Sequence, residues 1–196
     1  MSRKRVAILI SGRGSNMSAL IEAAKADDYP AEIVGVLSNR AAAKGLEIAA
    51  SEGIATASLA QSQFPTRDMF EDVMTRVLES WEVDLVCLAG FMRILGEDFV
   101  NRWAGRMINI HPSLLPLYKG LDTHARAIAD GATVHGCTVH IVTPGLDEGA
   151  PILAAEVPVL PGDTAETLSA RVLVEEHRIY PEALRLLASE QIVQSS

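Results

Sequence analysis

An asparagine and a histidine stand two residues apart near the end of an apolar run, in the stretch MINIHPSLLP at residues 107–116. If this run is a strand, alternation places Asn109 and His111 on one face and Ile108 and Ile110 on the other. An Asn amide can donate to a developing oxyanion, and a His can exchange a proton near neutral pH. The pair is therefore a candidate catalytic site, and the alternative is that both side chains only cap the strand end.

A carboxylate that orients and charges the imidazole would complete this set. Asp147, in the glycine-bounded loop TPGLDEGAP, is the best candidate and Glu148 is the second, while a solvated turn is the alternative for this loop. Asn, His and Asp without a protein nucleophile suit direct acyl transfer between two substrates, one of which supplies the attacking amine. Ser113 is a poor acyl carrier because its setting, HPSLLP, lacks the GxSxG elbow.

A glycine-rich loop, SGRGSN at residues 11–16, lies between the first apolar run and the first helical pattern. In a parallel α/β fold, this position offers backbone N–H groups and a helix N-terminus to a phosphate; a plain connecting turn is the alternative. Met17 stands where a dinucleotide fingerprint needs glycine, which disfavours NAD, and Arg40 leaves NADP weakened rather than excluded. The P-loop pattern also fails, because no Lys-Ser or Lys-Thr follows at its spacing.

The elements that would position these residues alternate along the chain. Apolar runs predict strands at 5–10, 32–38, 54–59, 84–90 and 106–111, and helical spacing predicts helices near 15–26, 41–53, 67–80, 98–104 and 124–130. This order predicts a single-domain α/β fold, with a mostly parallel twisted sheet, helices on both faces and a Rossmann-type N-terminal half.

The C-terminal part predicts a different edge. The runs 136–142 and 151–160 are close in sequence and predict an antiparallel pair at one side of the sheet. Asp163 and Glu166 resemble a capping box, which opens a helix that extends to about Ile179. Pro181 should break or kink that helix.

Composition limits the class of protein. The chain has 196 residues, 48% hydrophobic and 21% charged, which suits one globular domain. Its net charge of −8 gives no general attraction to nucleic acid or anionic membranes. No apolar run reaches the length of a membrane helix and the first is too short for a signal peptide, so we expect a cytoplasmic protein.

The cysteines are expected to be buried thiols and not metal ligands. Cys87 and Cys137 stand in apolar, strand-like runs. His135 and His140 flank Cys137, but strand alternation puts His135 with Cys137 on one face and His140 on the other. We therefore expect no metal site.

Five motifs together resemble the folate-dependent phosphoribosylglycinamide formyltransferase family. They are SGRGSN, LAGFMRIL, INIHPSLLP, HGCTVHIVTPGLDEGAPI and EEHRIYP, in the family's order and spacing from residue 5 to about 188. The resemblance implies that a formyl group passes from 10-formyltetrahydrofolate, a cosubstrate, to the amine of 5'-phosphoribosylglycinamide in purine (IMP) synthesis. It also implies a phosphate-binding half at about 1–100 and a catalytic, folate-binding half at about 84–190.

The resemblance assigns a role to each matching position. Asn109 would hold the formyl oxygen, His111 would donate a proton, and Asp147 would charge the imidazole. Phosphoribosylglycinamide would lie against Gly14, Ser15, Asn16, Leu173, Val174, Glu175 and Glu176. Folate would lie against Arg67, Met92, Arg93, Ile94, Leu95, Asn109, Thr143, Pro144, Gly145, Leu146 and Asp147.

Rival interpretations share parts of this pattern. Methionyl-tRNA formyltransferases and formyltetrahydrofolate deformylases also carry an Asn-x-His strand and an Asp loop, but the first have a further tRNA-binding domain and the second an N-terminal regulatory domain. A non-catalytic nucleotide-binding module is the alternative from another class. We expect two small-molecule substrates, no nucleic acid or membrane partner, and a monomer or weak homodimer; the sequence assigns no role to His124, His135, His140 or His177.

Overall fold

The structure is a computed structural model that describes residues 2–190. The strands within this range are β1 (Lys4–Ile10), β2 (Ala31–Ser38), β3 (Ala55–Ser58), β4 (Leu85–Leu88), β5 (Met107–His111), β6 (Val134–Ile141) and β7 (Pro151–Pro158). The α-helices are α1 (Ser15–Ala24), α2 (Lys44–Ser51), α3 (Arg67–Ser80), α4 (Glu97–Arg102), α5 (Thr123–Ala129) and α6 (Ala165–Ala188). A 3-10 turn covers Gln61–Gln63.

The strands form one sheet in the order β3-β2-β1-β4-β5-β6-β7. The pairs from β3 to β5 are parallel, and β5-β6 and β6-β7 are antiparallel. The predicted mostly parallel sheet with an antiparallel C-terminal edge is therefore confirmed, whereas its division into two functional halves stays a prediction. The chain winds in one direction from β1 to β3 and in the other from β4 onward, and ligands bind at such a switch point, outside the carboxyl ends of the strands.

The core lies on both faces of the sheet, as the continuous apolar runs predict. Ile8 and Ile10 pack in the layer that holds α1 and α6, whereas Ala7 and Leu9 pack in the layer that holds α3 and α4. Successive residues of β1 thus enter opposite layers, which fixes the sheet between two sets of helices.

Helix α6 does not end at Ile179, so that prediction is wrong. Pro181 lies inside the helix, and Tyr180, Ala183 and Leu184 around it are completely buried. An interior proline costs about 3 kcal/mol, but full burial of a large apolar side chain contributes about 1.5–3 kcal/mol each. Core packing on both sides of Pro181 therefore outweighs the lost helical hydrogen bond.

The start of α6 also differs from the predicted capping box. Thr164 Oγ1 accepts the Thr167 N–H at 3.2 Å, and Thr167 Oγ1 accepts the Thr164 N–H at 2.9 Å. Asp163 instead accepts the Leu160 N–H and forms an ion pair with Arg171, both at 2.7 Å. The reciprocal cap is thus shifted by one residue, and Glu166 is left free of it.

Tyr180 ties α6 to the centre of the sheet. Its hydroxyl lies 2.8 Å from the Leu88 carbonyl oxygen and 3.2 Å from the Ile108 carbonyl oxygen, and its single proton is shared between them. These carbonyls belong to β4 and β5, so the helix is fixed beneath the strand that carries Asn109 and His111.

We expect Tyr180→Phe to lower the free energy of unfolding by about 1–2 kcal/mol, because it removes a buried donor and keeps the ring. Urea unfolding followed by circular dichroism measures this loss. Tyr29→Phe is the comparison, since the Tyr29 hydroxyl donates to one part-buried carbonyl, that of Pro181. An unchanged midpoint for Tyr180→Phe would contradict the expected tie.

Candidate active site

His111 is held at the end of β5 by contacts on both ring nitrogens. The side chain is 7% exposed, and Nε2 lies 2.9 Å from the Tyr118 carbonyl oxygen. Because a carbonyl only accepts, Nε2 carries a hydrogen and donates. Nδ1 faces Asp147 Oδ2 at 3.5 Å, so a proton on Nδ1 points at a carboxylate.

Asp147 reaches this position from the loop between β6 and β7. Its backbone is left-handed, with φ 51, and Oδ2 also accepts the Gly120 N–H at 2.9 Å. Glu148, the second candidate, is exposed and pairs with Lys119 at 3.1 Å. Asp147 is therefore the carboxylate that the fold brings to His111.

The loop that carries Asp147 is closed at its base. The Ile141 N–H donates to the Ala150 carbonyl oxygen at 2.9 Å. At Gly149 a Cβ atom would collide with the Ile141 carbonyl oxygen, so the backbone passes where only glycine fits. Residues 142–149 thus leave and rejoin the sheet at fixed points.

His140 completes the set, although sequence reasoning gave it no role. The antiparallel register places it opposite Asn109, and its Nδ1 donates to the Ile141 carbonyl oxygen at 3.0 Å. Burial lowers the pKa of His140, which favours the neutral ring with Nε2 as an acceptor. Asn109 Nδ2 lies 3.3 Å from that Nε2, so His140 orients the amide. The pairing of β5 with β6 was the signal that could have found it.

The segment at residues 118–121 lies beside the loop that carries Asp147. Arg126 Nη1 donates to the carbonyl oxygens of Lys119 and Leu121 at 2.7 and 3.1 Å, which holds the segment that contacts His111 and Asp147.

Two further histidines form a pair near α5. His124 Nδ1 and His135 Nε2 are 3.1 Å apart, and burial lowers the pKa of His135 to about 4.

The glycine-rich loop lies at a cavity of about 580 Å³ at the carboxyl ends of β1 and β4. Gly14 takes the left-handed conformation, φ 72, immediately before α1. Asn16 Oδ1 is buried, and no residue within 2–190 donates to it. The cavity is lined by Gly12, Arg13, Gly14, Ser15, Asn16, Ala89, Gly90, Glu166, Ser169, Ala170 and Leu173.

The opposite wall of the cavity is one face of α6. Glu166, Ser169 and Leu173 recur at helical spacing, and Glu176 continues the same face. Val174 is 66% exposed and Glu175 pairs with Arg178, so these two predicted contacts do not lie on this face. The site residues predicted from the sequence did not include Gly12, Arg13, Ala89, Gly90, Glu166, Ser169 or Ala170. Gly12 and Arg13 lie within the motif SGRGSN and Ala89 and Gly90 within LAGFMRIL, and helical periodicity would have indicated the other three.

Glu176 is an unusual carboxyl group because it is 8% exposed. Burial raises its pKa to about 7. No salt bridge reaches it from the described part of the chain. A group of this kind is suited to accept hydrogen bonds from a ligand that enters the cavity.

The two predicted folate segments flank the catalytic strand. Residues 92–95 follow β4, whose Leu88 pairs with Asn109, and residues 143–147 follow β6. Both segments expose apolar side chains, with Met92 at 58%, Ile94 at 77% and Leu146 at 57%. Arg93, Thr143 and Pro144 are also exposed, while Leu95 and Gly145 are half-buried.

Arg67 begins α3 and lies beside the end of the first of these segments. Its side chain is 51% exposed, and Nε is 3.8 Å from Glu71 Oε1. Gly96, which follows residues 92–95, lies against both side chains. Arg67 is therefore close enough to the segment to contact a ligand that extends beyond it.

Cys87 and Cys137 are free, buried thiols, as predicted. Among residues 2–190, no cluster of three or more His, Cys, Asp or Glu side chains is arranged to hold a metal ion. In the same residues, no helix combines the length and the apolar character needed to cross a membrane.

The sequence of this chain is similar to those of known proteins. Residues 4–184 match the family described as formyl transferase. The chain is 52% identical over 189 residues to the trifunctional purine biosynthetic protein adenosine-3 of Drosophila pseudoobscura pseudoobscura, covering 95% of this chain and 14% of that protein. It is 45% identical over 187 residues to phosphoribosylglycinamide formyltransferase of Escherichia coli, covering 95% of this chain and 88% of that protein.

A solved structure is similar to this chain in both sequence and fold. Phosphoribosylglycinamide formyltransferase from Brucella melitensis is 50% identical with a TM-score of 0.93, covering 99% of this chain and 100% of that chain. The chain thus spans less than a fifth of the length of the trifunctional relative. It spans 88% of the Escherichia coli protein and 100% of the Brucella melitensis chain.

Glu176→Gln should stabilise the unliganded protein at high pH. The folded-state pKa of about 7 lies above the ordinary value of 4.5, so the stability that Glu176 contributes is full below pH 4.5 and is lost as pH rises through 7. We expect the gain from the substitution to increase by about 2 kcal/mol between pH 5 and pH 8. Urea unfolding at both pH values measures it. The matched control is Glu175→Gln, and an equal pH-dependent gain in that variant would contradict burial as the cause.

Proposed function

The chain belongs to the formyl transferase family, and we propose that it transfers the formyl group of 10-formyltetrahydrofolate to the amine of 5'-phosphoribosylglycinamide in purine biosynthesis. One observation carries the proposal. The carboxyl ends of β1, β4 and β5 are neighbours, with the cavity of about 580 Å³ at the first two and Asn109, His111 and Asp147 at the third. Two substrates bound at these places would meet at β5.

The acceptor substrate suits the cavity. Its phosphate would lie on the backbone N–H groups of Gly14, Ser15 and Asn16 at the start of α1, where the helix dipole favours an anion. Arg13 adds a cation that forms no ion pair within residues 2–190. Glu176 would accept hydrogen bonds from the ribose or glycinamide part.

The donor substrate suits the segments on either side of β5. The backbone of residues 92–95 and 143–147 offers donors and acceptors for the flat, amide-like pterin ring, and their exposed apolar side chains offer walls. Arg67 would lie near the tail. The relatives of similar length that carry the name phosphoribosylglycinamide formyltransferase support this choice of substrates.

Direct attack explains the chemistry without a covalent enzyme intermediate. The amine nitrogen bonds to the formyl carbon, and the carbonyl π electrons move to oxygen. The Asn109 amide N–H that is not directed to His140 would stabilise this oxyanion. When the tetrahedral intermediate collapses, the bond to the folate N10 breaks. His111 would protonate N10, and the proton lost by the attacking amine returns to the imidazole or to solvent.

Asp147 and His140 would prepare this step. The Asp147 carboxylate stabilises positive charge on His111, and the neutral His140 keeps the Asn109 amide directed so that one N–H stays available. The same proposal includes action in the cytoplasm, by a monomer or weak homodimer, on small molecules only. It also includes the phosphate-binding half at about 1–100 and the catalytic half at about 84–190.

The test is an assay with paired substrates. Purified protein is mixed with 10-formyltetrahydrofolate, with and without phosphoribosylglycinamide, and absorbance follows tetrahydrofolate formation. We expect turnover only when both are present. Turnover with folate and water alone would instead favour a deformylase, and none under any condition would favour a non-catalytic nucleotide-binding module.

Asp147→Asn should lower kcat by about 100-fold or more, because the carboxylate that charges His111 is lost from the proton transfer. The dissociation constant of tetrahydrofolate should change far less, because the Asn side chain keeps an acceptor for the Gly120 N–H. Steady-state kinetics and ligand titration measure the two. Glu148→Gln, which breaks only the exposed pair with Lys119, is the matched control. Equal losses of rate and folate affinity in Asp147→Asn would contradict the protonic role.

A further inference from the structure

Ser11 and Asn39 stand opposite each other, one residue beyond the paired ends of β1 and β2. The parallel register aligns Ile10 with Ser38, so the two following residues meet. The Ser11 hydroxyl donates to Asn39 Oδ1 at 2.5 Å. The two residues are 3% and 8% exposed, so water does not compete for this bond.

The Ser11 hydroxyl, which donates to Asn39, also accepts a hydrogen bond. The Met92 N–H donates to Ser11 Oγ at 2.7 Å. Ala89 N–H donates to the Leu9 carbonyl oxygen at 2.9 Å, which brings the end of β4 beside the end of β1. Ser11 begins the phosphate loop and Met92 begins the folate segment, so one side chain contacts the start of both.

The far end of the folate segment is held separately. The Gly96 N–H donates to Glu71 Oε1 at 2.7 Å, and Glu71 is 5% exposed. Between these two points, within the described range 2–190, the backbone of residues 91–95 makes no hydrogen bond with the rest of the chain except the one to Ser11. The groups of residues 93–95 therefore remain available to a ligand, and Ser11 fixes the end nearer the cavity.

We propose that Ser11 and Asn39 form a hydrogen-bonded relay that positions the folate-binding segment against the phosphate loop. The inference rests on the proposed function, which names the ligands of these two segments. In it Ser11 and Asn39 are positioning residues. They set where the backbone of residues 92–95 meets the donor substrate and do not touch the reacting atoms.

The relay requires a hydroxyl because only that group can donate to Asn39 and accept from Met92 at once in so small a space. Alanine at position 11 would leave the buried Asn39 Oδ1 and the part-buried Met92 N–H without these partners, and the segment would shift to find new ones. Threonine keeps the hydroxyl. At position 39, aspartate keeps an acceptor, whereas leucine removes it.

Ser11→Ala and Asn39→Leu should each raise the KM for 10-formyltetrahydrofolate about three- to tenfold, the size of one lost hydrogen bond. We expect kcat to change less than twofold. Ser11→Thr and Asn39→Asp should stay near the wild-type KM. Ser38→Ala is the matched control, because Ser38 is a fully buried neighbour whose hydroxyl, among residues 2–190, accepts only the local Arg40 N–H, at 3.0 Å.

Hydrogen exchange followed by mass spectrometry provides a readout that needs no substrate. Exchange at the Met92 amide, followed in peptides that cover residues 91–95, should rise in Ser11→Ala and Asn39→Leu and stay at the wild-type level in Ser38→Ala. If the wild type has no turnover with paired substrates, the proposed function fails while this measurement still tests the relay. An unchanged folate KM in an active Ser11→Ala enzyme, an equal rise in Ser38→Ala, or unchanged exchange in residues 91–95 would each overturn the inference.

Discussion

The change from parallel to antiparallel pairing at β5 is the constraint on which the site depends. β4 runs parallel to β5, so the segment after β4 starts at the edge where His111 lies. β6 runs antiparallel, so its last residues lie beside Met107 and the loop that follows must fold back to bring Asp147 to His111. With β6 parallel, His140 would have a different partner and Asn109 would lose the acceptor that orients its amide.

Burial sorts the ionisable groups around this strand. Desolvation lowers the pKa of His124, His135 and His140, which favours neutral rings, and raises that of Glu176, which favours a neutral carboxyl below about pH 7. The Asp147 carboxylate lies 3.5 Å from His111 Nδ1 and 3.8 Å from His140 Nε2. Charges interact more strongly where water is excluded. A single carboxylate in such a place can therefore affect proton transfer.

Local patterns predicted what depends on neighbours in sequence. Alternation placed Asn109 and His111 together, and the glycine loop was placed correctly between β1 and α1 because both depend on a few consecutive residues. His140 was missed because its role comes from register with a strand 31 residues away. The predicted end of α6 before Pro181 was wrong for the opposite reason. Tertiary packing outweighed the local rule that proline breaks a helix. The resemblance implied substrate contacts at residues 173–176, but Val174 and Glu175 lie off the face of α6 that lines the cavity, and the roles of the site residues remain predictions.

The closed base of the loop at residues 142–149 has a consequence for engineering. Because the Ile141 N–H and the Ala150 carbonyl clamp both ends, the intervening chain has fixed boundaries that depend on its own sequence only at Gly149, where the crossing requires glycine. Relatives of equal loop length could therefore exchange this segment as a cassette. Such chimaeras would separate the contribution of the loop to ligand choice from that of the sheet, which no single substitution in either part can do.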